Sequence, residues 1–186
     1  LRYFDTFYLR KRERNDVALV FGPDGKFIEE YSSIKPLPFE RWVLPGNETR
    51  VFNTNAGNFG VFLCYEETQH IAKDLSKNGA EFIISLANNQ KIDHTPGFYL
   101  TSLYTNLRAA ENGKYLVRAT NTGMTKIVNP HGKIISQLEP YSRGILMGDI
   151  YLNNKITFYT RFGNIIVNIF LFAFGILFYY NFKNNN

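Results

Sequence analysis

The chain has 186 residues, with 21 Lys and Arg against 16 Asp and Glu, a formal charge of +5. Hydrophobic residues make up 45%, aromatics 16% and charged residues 20%, which excludes a disordered or low-complexity protein and leaves enough apolar area for one main domain. The single cysteine, Cys64, excludes an intramolecular disulfide and a Cys-rich zinc site, so the core must hold the fold unaided.

In chain order, the first feature is a basic cluster, Arg10, Lys11, Arg12 and Arg14, with Glu13 inside it. No stacking motif surrounds it, so it reads as a solvated loop and nucleic acid is not expected as a partner. The apolar run 17–21, the turn Pro23-Asp24-Gly25 and residues 26–31 predict a hairpin. Residues 60–64 read as a continuous apolar strand. Over 66–78, Ile71, Ala72 and Leu75 fall at helical spacing, and Gly79 stops the helix. A second apolar strand occupies 82–87. Thr95 and Pro96 supply an N-cap and a first-turn proline for a helix running to Asn112, closed by Gly113. Residues 115–119 resume a buried strand, and 125–128, Pro130-His131-Gly132 and 133–138 predict a second hairpin. Continuous apolar strands alternating with helices imply a sheet covered by helices, an α/β or α+β layered domain over residues 1–163.

The composition then breaks. From 165 to 180 every residue is apolar, aromatic or Gly except Asn168, and Phe182 follows before the polar tail 183–186, which opens with Lys183. A helix of this length spans about 24 to 27 Å at 1.5 Å per residue. Residues 164–182 are therefore expected to form a transmembrane helix and to make the protein integral to the cell membrane. The opening Leu1-Arg2-Tyr3-Phe4-Asp5 has neither an initiator Met nor a signal-peptide pattern, and is expected to be the start of a C-terminal fragment.

Cys64 falls at the end of a buried strand just before a predicted helix, where main-chain N–H groups and the helix dipole favour a thiolate. A nucleophile and a buried structural cysteine are both open at this point. Glu66 places a carboxyl close to that sulfur, whereas Glu67 is expected to point outward. Arg108 with Glu111 reads as a helix-surface ion pair, Arg118 as structural, and Asn121 as bonding to a turn. His70, His94 and His131 show no metal-ligand spacing, and neither metal nor cofactor is expected.

Residues 60–66, Gly-Val-Phe-Leu-Cys-Tyr-Glu, resemble the nucleophile segment of the nitrilase (carbon–nitrogen hydrolase) superfamily, in particular its apolipoprotein N-acyltransferase branch. Arg108-Ala109-Ala110-Glu111 is similar to that family's Arg-Ala-x-Glu helix. Arg118-x-x-Asn121-x-Gly123, Pro130-x-Gly132 and Thr157-x-Tyr159-x-Arg161-x-Gly163 follow in the family's order. The resemblance implies an αββα sandwich, incomplete at its N-terminus, with a Glu-Lys-Cys triad on the extracytoplasmic side of the membrane. It implies that Cys64 takes an acyl chain from a phospholipid as a thioester and passes it to the N-terminal amine of a lipoprotein. Catalytic roles then fall to Cys64, Lys35 and Glu66, and supporting or substrate-binding roles to Tyr65, Glu40 and Asn88.

The sequence departs from that pattern in four places. The base Glu is expected upstream of Leu1. The position of the pattern's Lys is held by Ser33, with Lys35 two residues on, on the same face of an extended strand. Phe39 runs directly into Glu40, where the pattern has Phe-Gly-Glu. Asn88-Asn89-Gln90-Lys91 stands where the acyltransferases carry Asn-Asp-x-Trp. A membrane-tethered amidase and a truncated non-catalytic relative stay open beside the acyltransferase.

Overall fold

The computed structural model describes residues 14–92 and 95–184. Arg10, Lys11, Arg12, Glu13 and His94 lie outside them. A two-stranded antiparallel hairpin, β1 (Val17–Phe21) and β2 (Phe27–Ser32), packs against a six-stranded mixed sheet. That sheet runs in chain order: β3 (Val51–Thr54), β4 (Gly57–Leu63), β5 (Phe82–Ala87), β6 (Tyr115–Thr120), β7 (Lys126–Val128) and β8 (Ile134–Gln137). β4, β5 and β6 are parallel, and the outer pairs are antiparallel.

Alternation along the central strands assigns the two faces. Phe62, Ile83, Leu116 and Val128 share one buried cluster with Ile71, Ala72 and Leu75 of α1 (Ile71–Lys77) and Ala109 of α2 (Pro96–Asn112). Val61 and Leu63 point the other way and meet Ala18 and Tyr31 of the hairpin. The described residues thus stack helices, sheet and hairpin, three layers of the expected sandwich. α1 lies tight on the sheet: a Cβ at Gly60 would stand 2.8 Å from Leu75.

Both hairpins, the strand 82–87 and the helix 96–112 form where the sequence places them. Gly113 closes α2 at φ 62, the left-handed geometry that glycine adopts without a Cβ penalty. Thr95 precedes it without capping it, because its hydroxyl donates to the Ile92 carbonyl at 2.6 Å. The single helix expected over 66–78 is instead a 3-10 turn, Cys64–Thr68, followed by α1. β3 and the short α3 (Phe158–Phe162) were not expected. Thr157 caps α3 by accepting from the Thr160 amide at 3.0 Å, and its hydroxyl donates to the Glu111 carbonyl at 2.6 Å, so α3 docks on the end of α2.

α4 (Ile165–Asn184) is a single helix of 20 residues, but among the described residues no helix is long and apolar enough to cross a membrane. Asn168 near its start and Asn181 and Lys183 near its end leave an uninterrupted apolar and aromatic stretch of about 18 Å at 1.5 Å per residue, short of a hydrocarbon core of about 30 Å. The helix is nonetheless uncovered, with Phe170, Phe172 and Phe174 each about 70% exposed.

Candidate active site

Cys64 is held on a left-handed backbone, φ +50, where β4 ends. A non-glycine residue pays roughly 1 to 2 kcal/mol for that conformation. It turns the thiol out of the sheet at the start of the Cys64–Thr68 turn. In a 3-10 turn residues three apart eclipse, so Glu67 falls beneath Cys64 and both line one cavity of about 290 Å³. This overturns the outward placement expected of Glu67, which assumed the 100° step of an α-helix. Glu67 is fully buried.

The cavity gathers most of the residues singled out from sequence. Cys64, Lys35, Tyr65, Glu40 and Asn88 all line it, as does Ser33. Both Ser33 and Lys35 therefore reach the site from one loop, with Ser33 buried and Lys35 exposed. The thiol lies 3.8 Å from the Asn88 carbonyl, to which it donates. Pro36, Leu37, Phe39, Leu63 and Ile92 give the cavity its apolar wall.

Glu66 is absent from that wall. Its Oε1 accepts from the Tyr31 hydroxyl at 2.8 Å and from the amides of Ile34 at 2.7 Å and Lys35 at 3.1 Å, while Oε2 accepts from the Leu63 amide at 2.7 Å. Burial pushes its carboxyl above the ordinary range, against the pull of those donors. Burial first, and then the charge of Glu66 and the hydrogen bond to it, push the Tyr31 phenol up. Glu66 thus bolts the Lys35 loop to the strand end that carries Cys64.

Glu67 anchors a second network. It accepts from Ser85 Oγ at 2.9 Å, from Arg118 Nε at 3.1 and 3.2 Å, and from Thr105 Oγ1 at 3.4 Å. Burial raises this carboxyl too, with Arg118 pulling it down; all the contacts are donors, as an ionised carboxylate requires. Arg118 also reaches Asn89, and Asn121 accepts from the Asn89 amide at 3.0 Å and donates to Asn88 Oδ1 at 2.7 Å. The turn-binding role expected of Asn121 holds. So does the Arg108–Glu111 ion pair, though Arg108 also donates through Nε to the Glu67 carbonyl at 3.2 Å, gripping the nucleophile turn from behind. His70 meets the Tyr159 hydroxyl at 2.8 Å, His131 is exposed, and no metal-binding cluster occurs among the described residues.

Sequence reasoning missed Lys126. It is buried, with Nζ 2.7 Å from both the carbonyl and the hydroxyl of Ser102. Burial and nearby Arg118 push it down to about 8, with Glu67 opposing. The folded state therefore binds fewer protons than the unfolded one between about pH 8 and the ordinary Lys range, and stability rises with pH across that window. Thermal melting should show this rise. In Lys126→Met the slope should shrink, leaving the share from Lys114, which burial also lowers.

A strained cysteine at a strand end, with buried carboxylates behind it and a cavity in front, has the build of a thiol-nucleophile site. The chain belongs to the carbon-nitrogen hydrolase family, whose model matches residues 15–156. It is 33% identical to an apolipoprotein N-acyltransferase of Synechocystis sp. over 84% of this chain and 29% of that one. To one of Prochlorococcus marinus it is 34% identical over 69% and 26%. The chain thus spans about a quarter to two fifths of the curated relatives it matches. In fold it is similar to a Saccharomyces cerevisiae member of branch 10 of the nitrilase superfamily, at TM-score 0.59, 22% identity and coverage of 68% and 49%. An amidase from Nesterenkonia sp. aligns at TM-score 0.58, 19% identity and coverage of 67% and 51%. In another structure of that amidase the acetamide moiety of fluoroacetamide is covalently added at the active site cysteine.

Proposed function

We propose that the chain is the nucleophile-bearing part of a membrane-bound N-acyltransferase that moves a fatty acyl chain from a phospholipid, through a thioester at Cys64, to the N-terminal amine of a lipoprotein. The observation that carries it is Cys64 on its left-handed turn at the mouth of a largely apolar cavity that also receives Lys35. Likeness to the acyltransferases of Synechocystis and Prochlorococcus favours acyl transfer over hydrolysis.

In the first step the Cys64 thiolate attacks the acyl ester carbonyl. The S–C bond forms, the ester C–O bond breaks, and the lysophospholipid oxygen leaves with the proton that the Cys64 thiol gave up in becoming the thiolate. In the second step the lipoprotein amine attacks the thioester carbonyl, the C–S bond breaks, and the thiol recovers the proton that the nitrogen loses. Lys35 and a main-chain N–H stabilise the oxyanion. Glu66 and Glu67, with their oxygens already occupied, position rather than shuttle protons, and Glu40, Tyr65 and Asn88 contact substrate. α4 rests in the bilayer as a lipid-embedded anchor, its exposed Phe and Leu side chains facing acyl tails, and the catalytic domain lies on the extracytoplasmic face.

The test is the native polypeptide extracted from its membrane, given a phospholipid with a labelled acyl chain. A hydroxylamine-labile mass gain of one acyl chain at Cys64, discharged onto an added lipopeptide amine, is expected. Discharge to water alone would overturn transfer in favour of hydrolysis, with an amide then to be tried as the acyl donor for the amidase reading, and no adduct at all would overturn catalysis through Cys64.

A further inference from the structure

Where the acyltransferase-like pattern carries Asp after Asn, this chain has Asn88-Asn89. Position 89 faces a fully buried guanidinium. Arg118 donates through Nη2 to Asn89 Oδ1 at 3.1 Å and through Nη1 to the Met124 carbonyl at 3.0 Å. Its Nε faces both carboxylate oxygens of Glu67 at 3.1 and 3.2 Å. The approach of residue 89 is built into the backbone, because a Cβ at Gly123 would stand 2.6 Å from Asn89 Oδ1. Three elements therefore meet at Arg118: the turn that begins with Cys64, the loop after β5, and β6. Their meeting brings the Asn88 carbonyl to the thiol.

The geometry points to Glu67 as a relocated counter-ion: it gives Arg118 the negative charge that the pattern places at position 89, and so positions the Asn88-Asn89 loop against Cys64 and sets the field at the thiol. A buried guanidinium beside a neutral amide needs a carboxylate partner, and the eclipsing of residues 64 and 67 in the 3-10 turn puts one there. Lys126 is a second buried cation in the same cluster, feeling both Arg118 and Glu67. Removing the Glu67 charge would leave two buried cations without their shared carboxylate, behind the turn that carries the thiol. The inference deepens the proposed function and rests on it only in taking Cys64 as the nucleophile.

The test is labelling of the full chain with iodoacetamide at neutral pH, read by intact mass; with one cysteine in the sequence, only Cys64 reports. In Glu67→Gln the uncompensated cations favour the thiolate, and labelling should accelerate about threefold or more. Adding Asn89→Asp should return the rate to within about twofold of the parent, because the anion is back on Arg118 and the Thr101 hydroxyl can turn to donate to it. Thr160→Val, which removes a buried 2.9 Å contact to Asn112 away from the cavity, should lower the melting temperature and leave labelling unchanged. An unchanged rate in Glu67→Gln, or an acceleration that Asn89→Asp does not reverse, overturns the proposal. If Glu67→Gln fails to melt cooperatively, recovery of cooperative melting in the double variant supports relocation and its absence overturns it. Labelling needs neither acyl donor nor acceptor, so failure of acyl transfer leaves this result separately readable.

Discussion

Cys64→Ala should abolish the acyl adduct and reduce turnover by at least about a thousandfold, because no other group at the cavity can form a thioester. Its effect on folding should be small. The thiol's hydrogen bond to the Asn88 carbonyl is long, 3.8 Å, and its side chain is only partly buried. The backbone supplies a sharper signature. At φ +50 any side chain with a Cβ is strained, whereas glycine is not, so Cys64→Gly should be more stable than Cys64→Ala by roughly 1 kcal/mol, with glycine's greater chain entropy offsetting part of the relief. Chemical denaturation of the two inactive variants measures that difference. Equal stabilities would mean that the turn relaxes without the thiol, and that the strained geometry is not intrinsic to the backbone. A more stable but inactive Cys64→Gly would show strain retained at this position for chemistry.

What could be read from the sequence divides along a physical line. α2 was legible from Thr95-Pro96 to Gly113 because its start and stop are local signals. β5 and the two hairpins were legible because their apolar runs are bounded by turn residues. β3 was not, since Asn53, Thr54 and Asn55 have turn composition; the strand exists because β4 pairs with it, Val51 against Gly60 and Thr54 against Gly57. Cys64 stood out by its place between strand and turn, and Lys35, Tyr65, Glu40 and Asn88 by motif, and all five line one cavity. Glu67 was misplaced because one wrong period, α for 3-10, rotates a side chain from solvent to core. Arg118 and Lys126 were illegible as parts of the site for a different reason. Their partners come from several elements far apart in sequence, and only the pairing of β5 with β6, Ser85 beside Arg118, and of β6 with β7, Arg118 beside Lys126, brings them together under the Cys64–Thr68 turn.

Glu66→Ala should be the most destabilising single change at this site. The carboxylate receives the Tyr31 hydroxyl and the amides of Leu63, Ile34 and Lys35. Each buried donor left without an acceptor costs about 1 to 3 kcal/mol, and because the four share one group their costs do not add in full; a total on the order of 4 kcal/mol is expected. Glu66→Gln should be milder and asymmetric. Its amide oxygen can take the place of Oε1, which serves three donors, but its NH₂ must then face the Leu63 amide, setting donor against donor and costing about 1 to 3 kcal/mol. Tyr31→Phe, which withdraws one donor and leaves three, should cost about 1 kcal/mol. Denaturant unfolding ranks the three variants, and hydrogen exchange locates the loss: the Leu63 amide should exchange faster in Glu66→Gln, and the Ile34 and Lys35 amides as well in Glu66→Ala, while those of β5 keep their protection. Freed from residue 66, the loop in Glu66→Ala no longer fixes Lys35 at the cavity, so turnover in Glu66→Ala should fall about tenfold to a hundredfold with little change in KM, and that in Glu66→Gln far less. Were Glu66 instead a proton carrier, Glu66→Gln would lose as much activity as Glu66→Ala although Ile34 and Lys35 kept their protection, and that combination would refute the positioning role.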